Sequence, residues 1–208
     1  SRVDPGTPVA NRYFGVFQSG EIKARGIELR RRDTCAFVKS AQERMLQILA
    51  GAASAAELPA VLPALQAYID ERLDTLRRGR VPPEQLVVRQ TLSRELEKYR
   101  SPSPAAQAAR QLQGIGRELR PGQSVRFLYL RGAPGVRAWD LPGAVDPRRL
   151  DLGEYEKLFR RAVETVLELL QEKDCPQPAL SGAFAAARLP LRGERMAVVN
   201  PAEPALAG

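Results

Sequence analysis

The chain contains no histidine. The side chain that most often serves as a general base near neutral pH, and the commonest zinc ligand, are therefore both missing. Cysteine is nearly absent too. Cys35 and Cys175 lie far apart and form no metal-binding or redox spacing, so both read as reduced thiols of a cytoplasmic protein. No apolar run is long enough to span a bilayer, and the opening "SRVDPGTPVA" lacks the apolar stretch of a secretory signal, so no membrane partner is expected. Aromatic residues make up only 6% of the chain, and Trp139 is the single tryptophan. Apolar residues still amount to 44% of 208 positions, enough for the core of one sizeable domain or two small ones.

What is present in excess is positive charge. The net charge is +8 and the isoelectric point about 10.0, a balance that favours an acidic partner such as nucleic acid. Residues 23–34 read "KARGIELRRRDT", with Lys23, Arg25, Arg30, Arg31 and Arg32 packed around Gly26 and stopping at Asp33. Arg89, Arg94, Lys98, Arg100 and Arg110 form a second basic stretch, with Ser101 and Ser103 as hydroxyl donors. Carboxylates offer less. Asp33, Asp70, Glu71, Asp140 and Asp146 are scattered over different elements, and Asp33 beside three arginines reads as an ion-pair partner or cap. "GAPGVRAW" is a turn without the Lys-Ser/Thr of a phosphate-binding loop. On residue chemistry alone the chain has no active site. Its basic run is either a solvated edge or a surface that holds phosphates, to which long cations on a rigid strand are well suited.

Periodicity gives the elements. "RYFGVFQSGEIKARGIEL" reads as a β-hairpin around "QSGE", with Lys23 and Arg25 on one strand face. Beyond Gly26 the apolar parity switches at Ile27 and Leu29, which predicts a bulge or close backbone approach. Thr34 is the expected N-cap of a helix carrying Phe37, Ala41, Met45 and Ile48. Ser54 and Glu57 form a capping-box pattern before a helix with Leu65, Ile69, Leu73 and Leu76, where Pro59 and Pro63 predict a kink or a start at Pro63. "LVVRQTL" reads as a strand, 104–113 as an alanine-rich helix, "SVRFLYLRG" and "GVRAWDLP" as a hairpin, and "DLGEYEKLFRRAVETVLELLQE" as an amphipathic helix. Tyr13, Tyr99 and Trp139 are read chiefly as packing residues. The class is α+β: a small antiparallel hairpin followed by a mostly helical domain with a small β element.

At this point the residues resemble a known family. "NRYFGVF…GEIKARGIELRRRDT" is similar to the end of the palm of family B DNA polymerases, where Lys-Lys-x-Tyr precedes Lys-x-(Lys/Arg)-Gly and then Arg-Arg-Asp. Asn11-Arg12-Tyr13, Lys23-Ala24-Arg25-Gly26 and Arg31-Arg32-Asp33 stand at those three elements. "VPPEQLVVRQTLSRELEKYRSPSPAAQAARQLQGIGRELRPGQSVRFLYLRG" and "DLGEYEKLFRRAVETVLELL" look like that family's thumb, so the resemblance covers about residues 9–172. The chain departs from the pattern at Asn11, where a second lysine is common, and at Ala105, where a histidine often follows the thumb proline. The wording "GIELRRRDT…FVKSAQERML" is closest to an archaeal-type subgroup that also occurs in bacteria.

The resemblance implies a division into palm end (1–33), thumb (34–175) and a loosely structured tail (176–208). It implies a parent DNA-directed DNA polymerase using Mg2+ on palm aspartates, in Asp-x-x-Ser-Leu-Tyr-Pro and Asp-Thr-Asp elements that this sequence does not contain. This chain is thus expected to carry no cofactor and to be inactive alone. It reads as a piece of something longer, or as a small subunit that has lost its initiator methionine. Its partners would be a primer–template duplex and the rest of the polymerase: palm, fingers and exonuclease domain. Unpaired sheet edges would favour a homodimer of the isolated piece. Implied contacts with DNA are Lys23 and Arg25 on backbone phosphates near the primer end, Tyr13 beside the minor groove, Arg89, Arg94, Lys98, Ser101, Ser103 and Arg110 along the duplex, and Arg12 and Gly26 as further DNA-binding residues. Arg30 to Asp33 would be a structural joint. Two other readings remain: a non-catalytic DNA-binding or structural paralogue, and an interaction domain whose charge only aids solubility.

Overall fold

A computed structural model describes residues 13–16, 22–25, 27–52, 54–100 and 103–171, all within one compact unit. Strands β1 (Tyr13–Val16) and β2 (Ile22–Arg25) pair antiparallel as expected. The chain then departs from the sequence reading. Instead of continuing as a bulged strand, Glu28–Arg30 closes into a single 3-10 turn. Its polar groups find partners elsewhere: the Leu29 N–H donates to Gln42 and the Glu28 carboxylate accepts from Gln42 and Thr165. Gly26, where the bulge or close backbone approach is expected, lies outside the described residues.

Helix α1 (Ala36–Leu49) buries Phe37, Val38, Ala41, Gln42, Met45, Leu46 and Leu49, the stripe its period predicts. Its N-cap is Cys35, not Thr34, and no side chain caps it. Cys35 is 1% exposed, so the start of the helix is drawn into the core, where a small apolar side chain fits and a hydroxyl would need a partner. After a 3-10 turn at Ala55–Glu57, helix α2 (Leu58–Arg77) starts ahead of Pro63 rather than at it. Pro59 sits in the first turn, where its missing N–H costs nothing, and Pro63 forfeits one bond close to the helix start. Ser54 and Glu57 meet side chain to side chain at 3.3 Å, a partial version of the expected box.

A short helix α3 (Pro83–Leu86) leads into strand β3 (Val88–Thr91). Helix α4 (Pro104–Gln113) follows, then β4 (Ser124–Tyr129), β5 (Val136–Ala138) and the long helix α5 (Leu152–Gln171). Between α4 and β4, "RPGQ" makes a turn closed by the Gln123 N–H on Arg120 O, with Gly122 at φ +86° as a type II turn demands. Strands β3, β4 and β5 form one antiparallel sheet in that order, with Val88, Phe127 and Ala138 aligned and buried. Helices α1, α2 and α5 pack on one another, and the Phe37 and Phe159 rings meet at 5.8 Å. Helix α4 lies against β4 and β5, where Gln111 donates to Val136 O at 2.9 Å and accepts from Ala138 N at 2.8 Å. That amide stands in for a further strand along β5. Tyr155 of α5 accepts from the Tyr129 N–H at 2.9 Å and fastens the helix to the end of β4. The architecture is α+β, as the sequence pattern implies.

Candidate nucleic-acid interface

The expected interface residues fall into three places. In the hairpin, the ladder sets Tyr13 opposite Arg25 and Gly15 opposite Lys23. Tyr13, Lys23 and Arg25 are placed by this backbone register alone. Arg12, Gly26 and Ser101 lie outside the described residues.

The second place is the turn before α1. Arg31 makes a bidentate pair with Asp33, at 2.9 Å from Nε and 2.8 Å from the terminal nitrogen. Those hydrogen bonds hold the Asp33 carboxyl below the usual carboxylate range and push the Arg31 guanidinium further up. Arg32, by contrast, is exposed and has no bond or ion-pair partner among the described residues. It lines an open cleft of about 300 Å³ together with Asp33, Arg89, Gln90 and Thr91. Arg89 projects from β3, exposed and likewise without an acidic partner among the described residues. Across the ladder it faces Arg126, and two residues on Thr91 faces Ser124 with their hydroxyls 3.1 Å apart. Like charges directly opposite one another destabilise a strand pair unless something offsets them. Asp140 does this for Arg126, and Arg117 approaches the same carboxylate at 3.9 Å. Nothing described does it for Arg89. This strand face therefore keeps an uncompensated positive charge next to a pair of hydroxyls.

The third place is the 3-10 turn Leu96–Lys98 and the start of α4. Here the expected residues are brought together but largely committed to neighbouring groups of the protein. Arg94 lies 5.5 Å from the Tyr99 ring, and Tyr99 Oη lies 3.3 Å from the Ser93 hydroxyl and accepts from the Ser93 N–H at 3.0 Å; the contact with the hydroxyl leads in lowering the phenol's pKa, and the N–H reinforces it. Lys98 pairs with Glu95 at 2.9 Å, which raises its ammonium further. Arg110 donates to Leu96 O at 3.2 Å. Ser103 is the N-cap of α4, its Oγ accepting from Ala106 N at 3.3 Å. The cap uses a lone pair and leaves the hydroxyl proton free to donate.

Sequence reading missed Arg32, Thr91, Ser124 and Arg126. The alternation in "SVRFL" carried a signal for Ser124 and Arg126. Nothing local distinguished Arg32 from its paired neighbour Arg31. For metals, no group of three or more Asp, Glu or Cys side chains among the described residues could hold an ion. No described helix is long and apolar enough to cross a membrane.

Comparison with known proteins follows the same outline. The family model for DNA polymerase family B matches residues 10–172. The DNA polymerase of Desulfurococcus sp. (strain Tok) is 28% identical over 150 residues, which is 72% of this chain and 17% of that protein. The DNA polymerase of Thermococcus sp. (strain 9oN-7) is 28% identical over 161 residues, 76% of this chain and 20% of that one. The chain thus spans no more than a fifth of these relatives. Among solved structures, the family B DNA polymerase of the hyperthermophilic archaeon Pyrobaculum calidifontis superposes with a TM-score of 0.59 at 20% identity. That match covers 80% of this chain and 21% of the other, and the likeness is one of fold.

Proposed function

This chain belongs to DNA polymerase family B, and from that premise we propose that it grips a primer–template duplex through the backbone phosphates. Residues 1–33 would be the end of the palm and 34–175 the thumb of a DNA-directed DNA polymerase. The observation that carries the reading is the cleft lined by Arg32 and Arg89, where the one lining carboxylate, Asp33, is held by Arg31 and neither of the two arginines has an ion-pair partner among the described residues. A guanidinium left unpaired beside hydroxyls is suited to a phosphate, which accepts several hydrogen bonds at once. Each phosphate so neutralised releases condensed counterions, and that release supplies most of the affinity.

Each of these side chains then has a proposed role. Arg89, with Thr91 and Ser124 beside it, donates to one stretch of backbone, and Arg32 donates from across the cleft. Lys23 and Arg25 extend the contact near the primer end, with Arg12, Tyr13 and Gly26 alongside. Arg94, Lys98, Ser101, Ser103 and Arg110 line the continuation of the duplex, Ser103 through its free hydroxyl proton. Such contacts fix register and orientation without reading bases. Mg2+, when bound in the rest of the polymerase, supplies charge stabilisation during phosphoryl transfer. This chain's own part is to hold the substrate still, and alone it is inactive.

The test is fluorescence anisotropy of a labelled primer–template duplex across a salt series. Lys23→Ala combined with Arg25→Ala, and separately Arg89→Ala, should weaken binding equally for unrelated sequences. Each lost phosphate contact should flatten the log–log salt slope by about 0.9. Absence of binding at low salt would refute the duplex grip, and an unchanged slope would remove those residues from it.

A further inference from the structure

Gln42 is fully buried, one of few polar side chains in the described core. An amide in that setting is costly unless every polar atom is satisfied. Here the amide is satisfied on all sides. Its Oε1 accepts from the Leu29 N–H at 2.6 Å. Its Nε2 donates to Glu28 Oε2 at 2.9 Å and to the Ala162 carbonyl at 3.1 Å. Thr165, 5% exposed, lies with its hydroxyl 3.2 Å from the other Glu28 oxygen and 3.0 Å from Arg161 O, and its single proton serves one at a time. The cluster ties the 3-10 turn to α1 and α5 at once.

A buried polar cluster of this kind contributes little net stability compared with well-packed apolar side chains; its attested use is to fix one arrangement among several. The arrangement fixed here is that of residues 28 and 29. Arg31 and Arg32 follow directly, and Arg32 lines the same cleft as Arg89. The exposed Arg31–Asp33 pair, with side chains 50% and 36% exposed, is too weak to hold the turn by itself. We propose that Gln42 is a positioning residue for phosphate binding, holding residues 28–33 so that Arg32 and Arg89 share one cleft. The inference rests on the duplex-grip reading of that cleft.

The experiment is a double-mutant cycle on the 208-residue chain, read as the salt slope of primer–template binding, with urea unfolding alongside. Arg32→Ala should flatten the slope by about 0.9. Gln42→Leu should flatten it by the same amount, and adding Arg32→Ala to Gln42→Leu should change nothing more. A merely structural Gln42 would lower the urea midpoint and leave the effect of Arg32→Ala intact in the variant background. That result overturns the inference. Should Gln42→Leu not fold, Thr165→Val keeps the shape, removes the hydroxyl from Glu28, and is read by the same cycle. If the unaltered chain fails to bind the duplex, the duplex-grip reading itself is wrong and this inference goes with it. Binding in which the two effects add refutes only the role of Gln42.

Discussion

At the scale of single residues, arginine does several different jobs in this chain, and the residue type does not distinguish them. Arg31, Arg77 and Arg160 are paired with carboxylates. Arg72 and Arg94 lie over rings, Arg72 at 4.5 Å from the Phe37 centroid. Arg32 and Arg89 are among the exposed arginines with no partner among the described residues, and they are the two that line one cleft. The most strongly held carboxylate is Glu156. It accepts from Arg77 at 2.9 and 2.7 Å and from Arg160 at 2.8 Å, joining α2 to α5. The hydrogen bond from Arg77 leads in bringing its pKa down from the ordinary 4.5 to about 2, and Arg160 reinforces it. A folded pKa below the unfolded one means stability that is fully present above about 4.5 and lost as the pH falls toward about 2. Glu156→Gln should therefore be less stable than the parent near neutrality, with the gap closing across that acid window. Urea midpoints measured on both proteins down the pH series check this. A gap of constant size would mean that the carboxylate acts through its shape and not its charge.

At the scale of elements, the hydrophobic period was a sufficient guide wherever an element buries one clean face. The stripes of α1, α4 and α5 and the alternation of β4 made those elements legible, down to Ala105, Ala108, Ala109 and Leu112 as the buried side of α4. Two local signals were overridden by distant partners. Residues 27–30 have strand-like parity, yet Gln42 and Thr165 satisfy this segment's polar groups in place of a sheet neighbour, so the strand ends. Thr34 is a better cap by type than Cys35, but burial of the cysteine moves the helix start by one residue. One side-chain cap that is present, Ser103 on α4, reads from the sequence as a DNA contact. Ser103→Ala should lower stability by about 1 kcal/mol, measurable as a shift in the urea midpoint, while Ser103→Asn, which can also cap, should be nearly silent. A silent alanine would show that Pro104 at the first helical position suffices to set the start of α4.

At the scale of the whole molecule, the net charge of +8 says that a polyanion is welcome but not where. Sequence placed the second basic stretch over residues 89–110, and the structure divides it. Its later members Lys98 and Arg110 are tied to Glu95 and to the Leu96 carbonyl around the Leu96–Lys98 turn, while Arg89 belongs with Arg32, far away along the chain. That juxtaposition is a product of how β3 and the turn before α1 come together, and no local spacing encodes it. Family membership was legible because several short motifs recur in one order, which is a property of the chain as a whole. The same turn carries an unused reporter. Cys35 is free, 1% exposed, and its thiol is pushed up by burial against the pull of the nearby Val38 N–H, so a thiol reagent reaches it only when the start of α1 opens. With Cys175 replaced by serine, the alkylation rate of Cys35 becomes a clock for that opening. Labelling should be far slower in the folded chain than in urea, and slower again once a primer–template duplex spans the cleft beside it. Equal rates with and without the duplex would mean that DNA never bears on this turn. Slower labelling with the duplex would instead make this buried thiol, outside every proposed contact, a reporter of when the cleft is occupied.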